Sequence, residues 1–202
     1  VLLVLGLLPV AYLVGTFPSA GLVARTQGHD IHREGSGNPG ASNTFRVLGW
    51  KAGVVVLVLD VGKGSLAAGA GLAIDGHRGA FILGIAAVLG HIFPVWHRFK
   101  GGRGVATAAG VMAVVFPLET AVLSVVWFAI ARGLHKASVA SVLCALAFPA
   151  IVVALDGSAL DIAVTGIIAG LVVARHLANL RRLVRGEEHG FGRDDDGGSV
   201  AA

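Results

Sequence analysis

Charge is scarce in this chain. Only 14% of its 202 residues are charged, against roughly 25% in an average soluble domain. The few charges are clumped between apolar blocks. That pattern argues against an ordinary soluble domain and for a helical membrane protein. There is one cysteine, Cys144, inside an apolar run. Alone it excludes a disulfide within the chain and a metal site of its own, and it reads as a small buried residue. Aromatic residues make up 6%, so the apolar mass is aliphatic. The 30 glycines suit helices that pack closely in a membrane.

Other absences narrow the chemistry. The 12 acidic residues are too few and too scattered for a carboxylate metal cage. No GxSxG, HExxH or CxxC occurs, so a triad hydrolase or a zinc enzyme has no support. The GxxxxGK[ST] spacing is missing, which speaks against an ATP or GTP loop. No sustained internal repeat marks a transporter built from inverted halves. The basic residues carry no interleaved aromatics, so the net charge of +4 is not a nucleic-acid signal. It suits anionic headgroups and anionic substrates.

What is present is a mean hydropathy of +0.80. A spanning helix needs about 20 mostly apolar residues. The pattern predicts an all-α integral membrane protein with seven spans, at about 1–24, 53–74, 79–96, 104–116, 118–132, 138–155 and 159–175. The first lacks a positive n-region and meets its first basic residue at Arg25, so it reads as a retained span. Gly104–Phe116 gives about 20 Å of helix at 1.5 Å per residue, short of a hydrocarbon core of about 30 Å. Irregular backbone at that depth needs protein or a wet cavity around it, a first sign of a site. Lys and Arg gather in 25–51, 97–103, 132–136 and the tail from Arg175, with Arg78 on the other side and Lys63 inside a span. The positive-inside rule then places the N-terminus outside and the C-terminus in the cytoplasm. Every complex loop faces the cytoplasm, and the site should too.

Four polar stretches carry candidate chemistry. "GSGNPGASNTFRVLG", Gly35–Gly49, has no apolar period. Its glycines allow close backbone approach to an anion, Ser36, Asn38, Ser42, Asn43 and Thr44 offer neutral donors, and Arg46 offers a fork for phosphate. "FKGGRGVAT", Phe99–Thr107, sets Lys100 and Arg103 around a glycine pair before a helix start. "RHLANLRRLVRGEE", Arg175–Glu188, puts His176 and Asn179 on one helix face. "DVGKG", Asp60–Gly64, carries intramembrane charges at i, i+3 spacing that suit pairing, with a substrate role for Lys63 as the lesser reading. His91 and His97 bracket a span end and read as interfacial. His189 and Asp194 match an H-x4-D pair by chance, in a Gly/Asp-rich tail that reads as disordered over 189–202.

These motifs, in this order, resemble the three signatures of the bacterial acyl-phosphate:glycerol-3-phosphate acyltransferases (PlsY). "DVGKG" and Ser138 in "HKASVAS" match as well, and the resemblance runs through a single domain, 1–188. It implies an enzyme of the bacterial inner (plasma) membrane with its site on the cytoplasmic face. The reaction implied passes a fatty acyl group from acyl phosphate to the 1-hydroxyl of sn-glycerol 3-phosphate, the first acylation of phospholipid synthesis. No cofactor and no metal are implied. By position, Ser36, Arg103, His176 and Asn179 would be catalytic. Asn38, Gly40, Asn43, Arg46, Lys63, Lys100, Gly101, Gly102, Gly104, Thr107, Ser138 and Glu187 would bind substrate. Within that set Arg46 and Ser138 would hold the glycerol phosphate, and the Gly101–Gly104 amides with Lys100 and Arg103 the acyl phosphate. Two residues depart from the common pattern: Arg103 stands where the family has Lys, and Ser42 where Thr is commoner. The rival reading is a channel or carrier for a phosphorylated anion.

Overall fold

The computed structural model describes residues 1–191. Among them every regular element is helical and there are no strands. The elements are α1 (Leu2–Gly6), α2 (Leu8–Gly15), α3 (Ser19–Arg25), α4 (Ala41–Leu48), α5 (Trp50–Ile92), α6 (Val105–Val115), α7 (Pro117–Gly133), α8 (Ala137–Ala154) and α9 (Ala159–Val184). A 3-10 turn, Val95–His97, follows α5. Trp50–His97, Ala137–Ala154 and Ala159–Val184 are long and apolar enough to cross a membrane.

The expected first span is broken. Pro9 sits in the first turn of α2, where its missing N–H costs nothing. Pro18 then ends the run, because the residue before a proline avoids the helical region. The expected second and third spans fall on the two arms of α5, which kinks at Asp75 and Gly76. The second arm stops at Ile92 rather than near 96. Phe93, ahead of Pro94, leaves the helical region at φ −126°, ψ 61°. The bounds expected for the fourth to sixth spans lie within a residue or two of α6, α7 and α8. The last helix outruns its apolar segment: α9 continues to Val184 through arginines that form helix well.

The largest departure is α4. Gly35–Gly49 reads as an irregular polar loop, yet Ala41–Leu48 is helical. Its Ala41, Val47 and Leu48 pack on a cluster of Ala20, Ala24, Ile31 and Val56. Its polar face carries Asn43 and Thr44, both buried. The helix is amphipathic, and contact with that cluster holds its apolar face.

α5 is the hub, packed on α2, α4 and α6. It meets α6 backbone to backbone. A Cβ on Gly64 would lie 2.1 Å from the Thr107 carbonyl oxygen, and one on Gly110 2.1 Å from that of Val61. Real Cβ atoms do not approach so closely, so small residues set this distance. The core beside it holds Phe81, Val88, Ile92, Val111 and Met112.

Candidate active site

Asn43 organises the first motif. Its Oδ1 accepts from the Ser36 N–H at 2.9 Å and from Arg46 Nη1 at 3.2 Å. Its Nδ2 donates to the carbonyls of Glu34 at 3.0 Å and Ile31 at 3.3 Å. The side chain is 1% exposed. Its amide is bonded to the fold on every side, and the residue also lines the cavity formed beside this motif. Gly40 is likewise structural: it caps α4, and its carbonyl accepts from the amides of Asn43 and Thr44 and from the Thr44 hydroxyl.

The second motif divides between two cavities. One has an empty volume of about 300 Å³ and is lined by Ser36, Asn38, Ser42, Asn43, Arg46, Arg103, Ala137, Ser138, Asn179, Glu188 and His189. The other, of about 330 Å³, is lined by Lys63, His91, Lys100, Gly101 and Gly102, together with Ser19, His32 and His97. Lys100 and Arg103 thus do not share a berth, against the expectation that they grip one phosphate together. The Gly101 and Gly102 amides are also spent, donating to the carbonyls of Ile92 and His91, each at 3.1 Å. The glycine pair is needed for space instead: a Cβ on Gly102 would sit 2.1 Å from His91 Nε2. Gly104, at φ 82°, turns the chain into α6 in a conformation that favours glycine. Thr107 is fully buried and on neither cavity wall. Its backbone carbonyl packs against Gly64.

Lys63 is paired. Its Nζ lies 2.8 Å from Asp60 Oδ1 and donates to the Phe17 carbonyl at 3.2 Å. The Ser19 hydroxyl reaches the same carboxylate, and His91 Nδ1 is 3.6 Å away. His91 is therefore a buried member of this network, not an interfacial residue.

In the third motif, α9 carries His176 and Asn179 on one face as expected, but at different depths. Asn179 lines the first cavity and donates to Glu188 Oε1 at 2.6 Å. His176 lies a turn deeper, is 1% exposed and is not on the cavity wall. Its Nδ1 is 2.8 Å from the Val172 carbonyl, an acceptor, which fixes the proton on that nitrogen. The acid of this motif that lines the cavity is Glu188, next to the expected Glu187. Glu187 is exposed, while Glu188 is buried and also binds Arg182 Nε at 3.0 Å and the Ser138 side chain. Burial alone would raise the Glu188 carboxyl; Asn179, Ser138, Arg182 and Arg103 together hold it below its ordinary value.

Residues 189–191 are docked over the site, although this region reads as tail. His189 is on the cavity wall. The Gly190 carbonyl accepts from Arg46 Nε at 3.2 Å and also from its Nη2. Phe191 stacks on Phe45. The one aromatic residue in the tail was the available signal. Asp194, the other half of the chance pair, lies outside the described residues.

The electrostatics favour an anion. Burial pushes the Arg103 guanidinium down to about 10; Arg182, Arg46 and Arg175 act in the same direction and Glu188 opposes them. At neutral pH Arg103 remains charged. Arg103 and Arg182 face Glu188, and Arg46 and Arg175 lie near enough to act on Arg103, so guanidinium groups outnumber the one carboxylate here and suit a phosphate. A basic half-open site in an apolar helical protein is what a membrane enzyme needs for anionic, lipid-linked substrates.

The comparisons make the class specific. A family model described as glycerol-3-phosphate acyltransferase matches residues 5–186. The glycerol-3-phosphate acyltransferase of Bacillus cytotoxicus is 41% identical over 183 residues, covering 90% of this chain and 92% of that protein. The one from Chlorobaculum tepidum is 36% identical over 226 residues, covering 94% and 97%. The crystal structure of PlsY (YgiH), an integral membrane glycerol 3-phosphate acyltransferase, in its glycerol 3-phosphate form superposes with a TM-score of 0.89 at 36% identity. That match covers 94% of this chain and 96% of the other. The fold is that of an all-helical integral membrane acyltransferase. The chain belongs to the glycerol-3-phosphate acyltransferase family, whose reaction is an acylation in phospholipid synthesis.

Proposed function

We propose that the chain transfers a fatty acyl group from acyl phosphate to the 1-hydroxyl of sn-glycerol 3-phosphate, releasing 1-acyl-glycerol 3-phosphate (lysophosphatidic acid) and phosphate. The observation that carries this reading is the cavity where Arg46, Arg103, Ser36, Ser138 and Asn179 converge from four separate segments. Arg46 and Ser138 hold the glycerol phosphate. Arg103, presented by the Lys100–Gly104 loop, receives the phosphate of the donor. The first intrahelical bond of α6 runs from the Ala108 amide to the Gly104 carbonyl, which leaves the amides of the preceding turn without an intrahelical partner. Ser36 and Asn38 line the reacting region.

The hydroxyl oxygen attacks the acyl carbon, and the carbon–oxygen bond to phosphate breaks. Phosphate leaves with the electron pair and takes the hydroxyl proton. The mixed anhydride is already activated, so positioning and charge stabilisation supply the rate. Asn179 orients the attacking hydroxyl, and the neutral imidazole of His176 supports that helix face from beneath. Glu188 holds Asn179 and Arg182 in place. Lys63 keeps its bond to Asp60 and shapes the second cavity with Lys100, Gly101 and Gly102.

The chain crosses the bacterial inner membrane seven times, N-terminus outside. The distribution of Lys and Arg supports that orientation and puts the cavity on the cytoplasmic face. The test is an assay of purified protein in lipid with glycerol 3-phosphate and either acyl phosphate or acyl-CoA. Lysophosphatidic acid and phosphate should form with acyl phosphate alone. Product from acyl-CoA alone would overturn the donor. Glycerol 3-phosphate flux into vesicles without acylation would favour a carrier.

A further inference from the structure

Beyond α9, residues 185–191 fold back onto the protein. Gly186, at φ 74°, reverses it, and the Glu187 amide donates back to the Arg182 carbonyl at 2.8 Å. The next residues then cross toward α4. Lys136 Nζ holds the Glu188 carbonyl. The Phe191 amide donates to the His135 carbonyl at 2.7 Å. The Phe191 ring stacks on Phe45, centroids 5.6 Å apart, and meets Trp127 edge-on at 5.4 Å. Trp127 is itself pinned, its Nε1 donating to the Ser141 hydroxyl at 3.0 Å.

The position of this strap has a chemical consequence. Phe45 precedes Arg46 on α4, and Gly190 precedes Phe191. Stacking one pair therefore brings the other together. The Gly190 carbonyl accepts from both Nε and Nη2 of Arg46, while Asn43 takes Nη1 from the opposite side. A long, flexible side chain is so held in one orientation at the cavity wall. An unrestrained arginine would have to lose rotamer freedom when substrate binds, a cost that such bracing removes in advance.

We propose that Phe191 is a positioning residue for glycerol 3-phosphate: clamped between Phe45 and Trp127, it fixes the Gly190 carbonyl that orients Arg46 toward the phosphate. The inference rests on the reading that Arg46 binds that phosphate. Phe191 is not on the cavity wall and acts through the strap.

Steady-state kinetics of the full chain in lipid test it. Phe191→Ala should raise KM for glycerol 3-phosphate about tenfold while kcat changes less than about twofold, the mark of lost substrate binding rather than lost transition-state contact. Phe191→Tyr, which keeps the stacked ring, should restore wild-type KM. In an Arg46→Ala background Phe191→Ala should add nothing, because both act on one interaction. An unchanged or lowered KM in Phe191→Ala overturns the proposal; a lowered one would make the strap a competitor of substrate. A parallel fall in kcat and thermal stability also overturns it, since the residue would then be merely structural. If Arg46→Ala itself leaves KM unchanged, the underlying site assignment fails, and this outcome is distinct from failure of Phe191 alone.

Discussion

Asn179 donates its side-chain amide to the Glu188 carboxylate at 2.6 Å. The bond joins the last helix to the segment that follows it, and it brings Glu188 rather than its neighbour Glu187 to the cavity wall. Glu188→Ala should therefore lower stability by about 1.5–3 kcal/mol, since it removes a charged acceptor from Asn179 and Arg182, and should lower turnover. Glu187→Ala should behave as wild type, because that side chain is exposed. Thermal unfolding and turnover of the two variants check this pair.

The same carboxylate predicts an acid-side weakness. Its folded pKa is depressed from the ordinary 4.5. Its contribution to stability is thus complete above that value and is lost as pH falls through the lower folded pKa. Thermal stability should drop below about pH 4.5, and Glu188→Gln should flatten that part of the profile. A wild-type profile that runs parallel to that of Glu188→Gln would remove Glu188 from the acid transition.

Helix packing gives a sharper steric prediction. Gly62 and Gly64 are both in α5, two residues apart. A Cβ on Gly64 would strike the Thr107 carbonyl at 2.1 Å, whereas one on Gly62 meets nothing within 4 Å. Gly64→Ala should separate α5 from α6 and abolish activity. Gly62→Ala should fold normally and gain up to about 1 kcal/mol from helix propensity. Expression, thermal stability and activity of the two variants give the comparison.

Much of this was legible in the sequence, and the reasons differ by element. The apolar runs behind α5 to α9 follow from hydropathy, and the break at Asp75–Gly76 falls where charge interrupts it. The three polar motifs announce the cavity because Arg, Ser and Asn among glycines have no place in an apolar bundle otherwise. What stayed hidden depends on tertiary contact. α4 is helical because Val47 and Leu48 find a partner cluster, and nothing local foretells that cluster. The separation of Lys100 from Arg103 comes from a chain reversal in which the Gly101 and Gly102 amides bond the end of α5. Spacing alone cannot distinguish that loop from an anion cradle. Choosing Glu188 over Glu187 needs the Gly186 turn, and the docked Phe191 needs ring partners distant in sequence.

The central claim is that the cavity walled by Arg46, Arg103, Ser138 and Asn179 takes the phosphate of glycerol 3-phosphate. Its most direct test is KM for glycerol 3-phosphate in Arg46→Ala, measured with saturating acyl phosphate. The account predicts a rise of roughly tenfold to a hundredfold, the loss of a charge-assisted bidentate contact of about 1.5–3 kcal/mol. A KM equal to that of the wild type would contradict it.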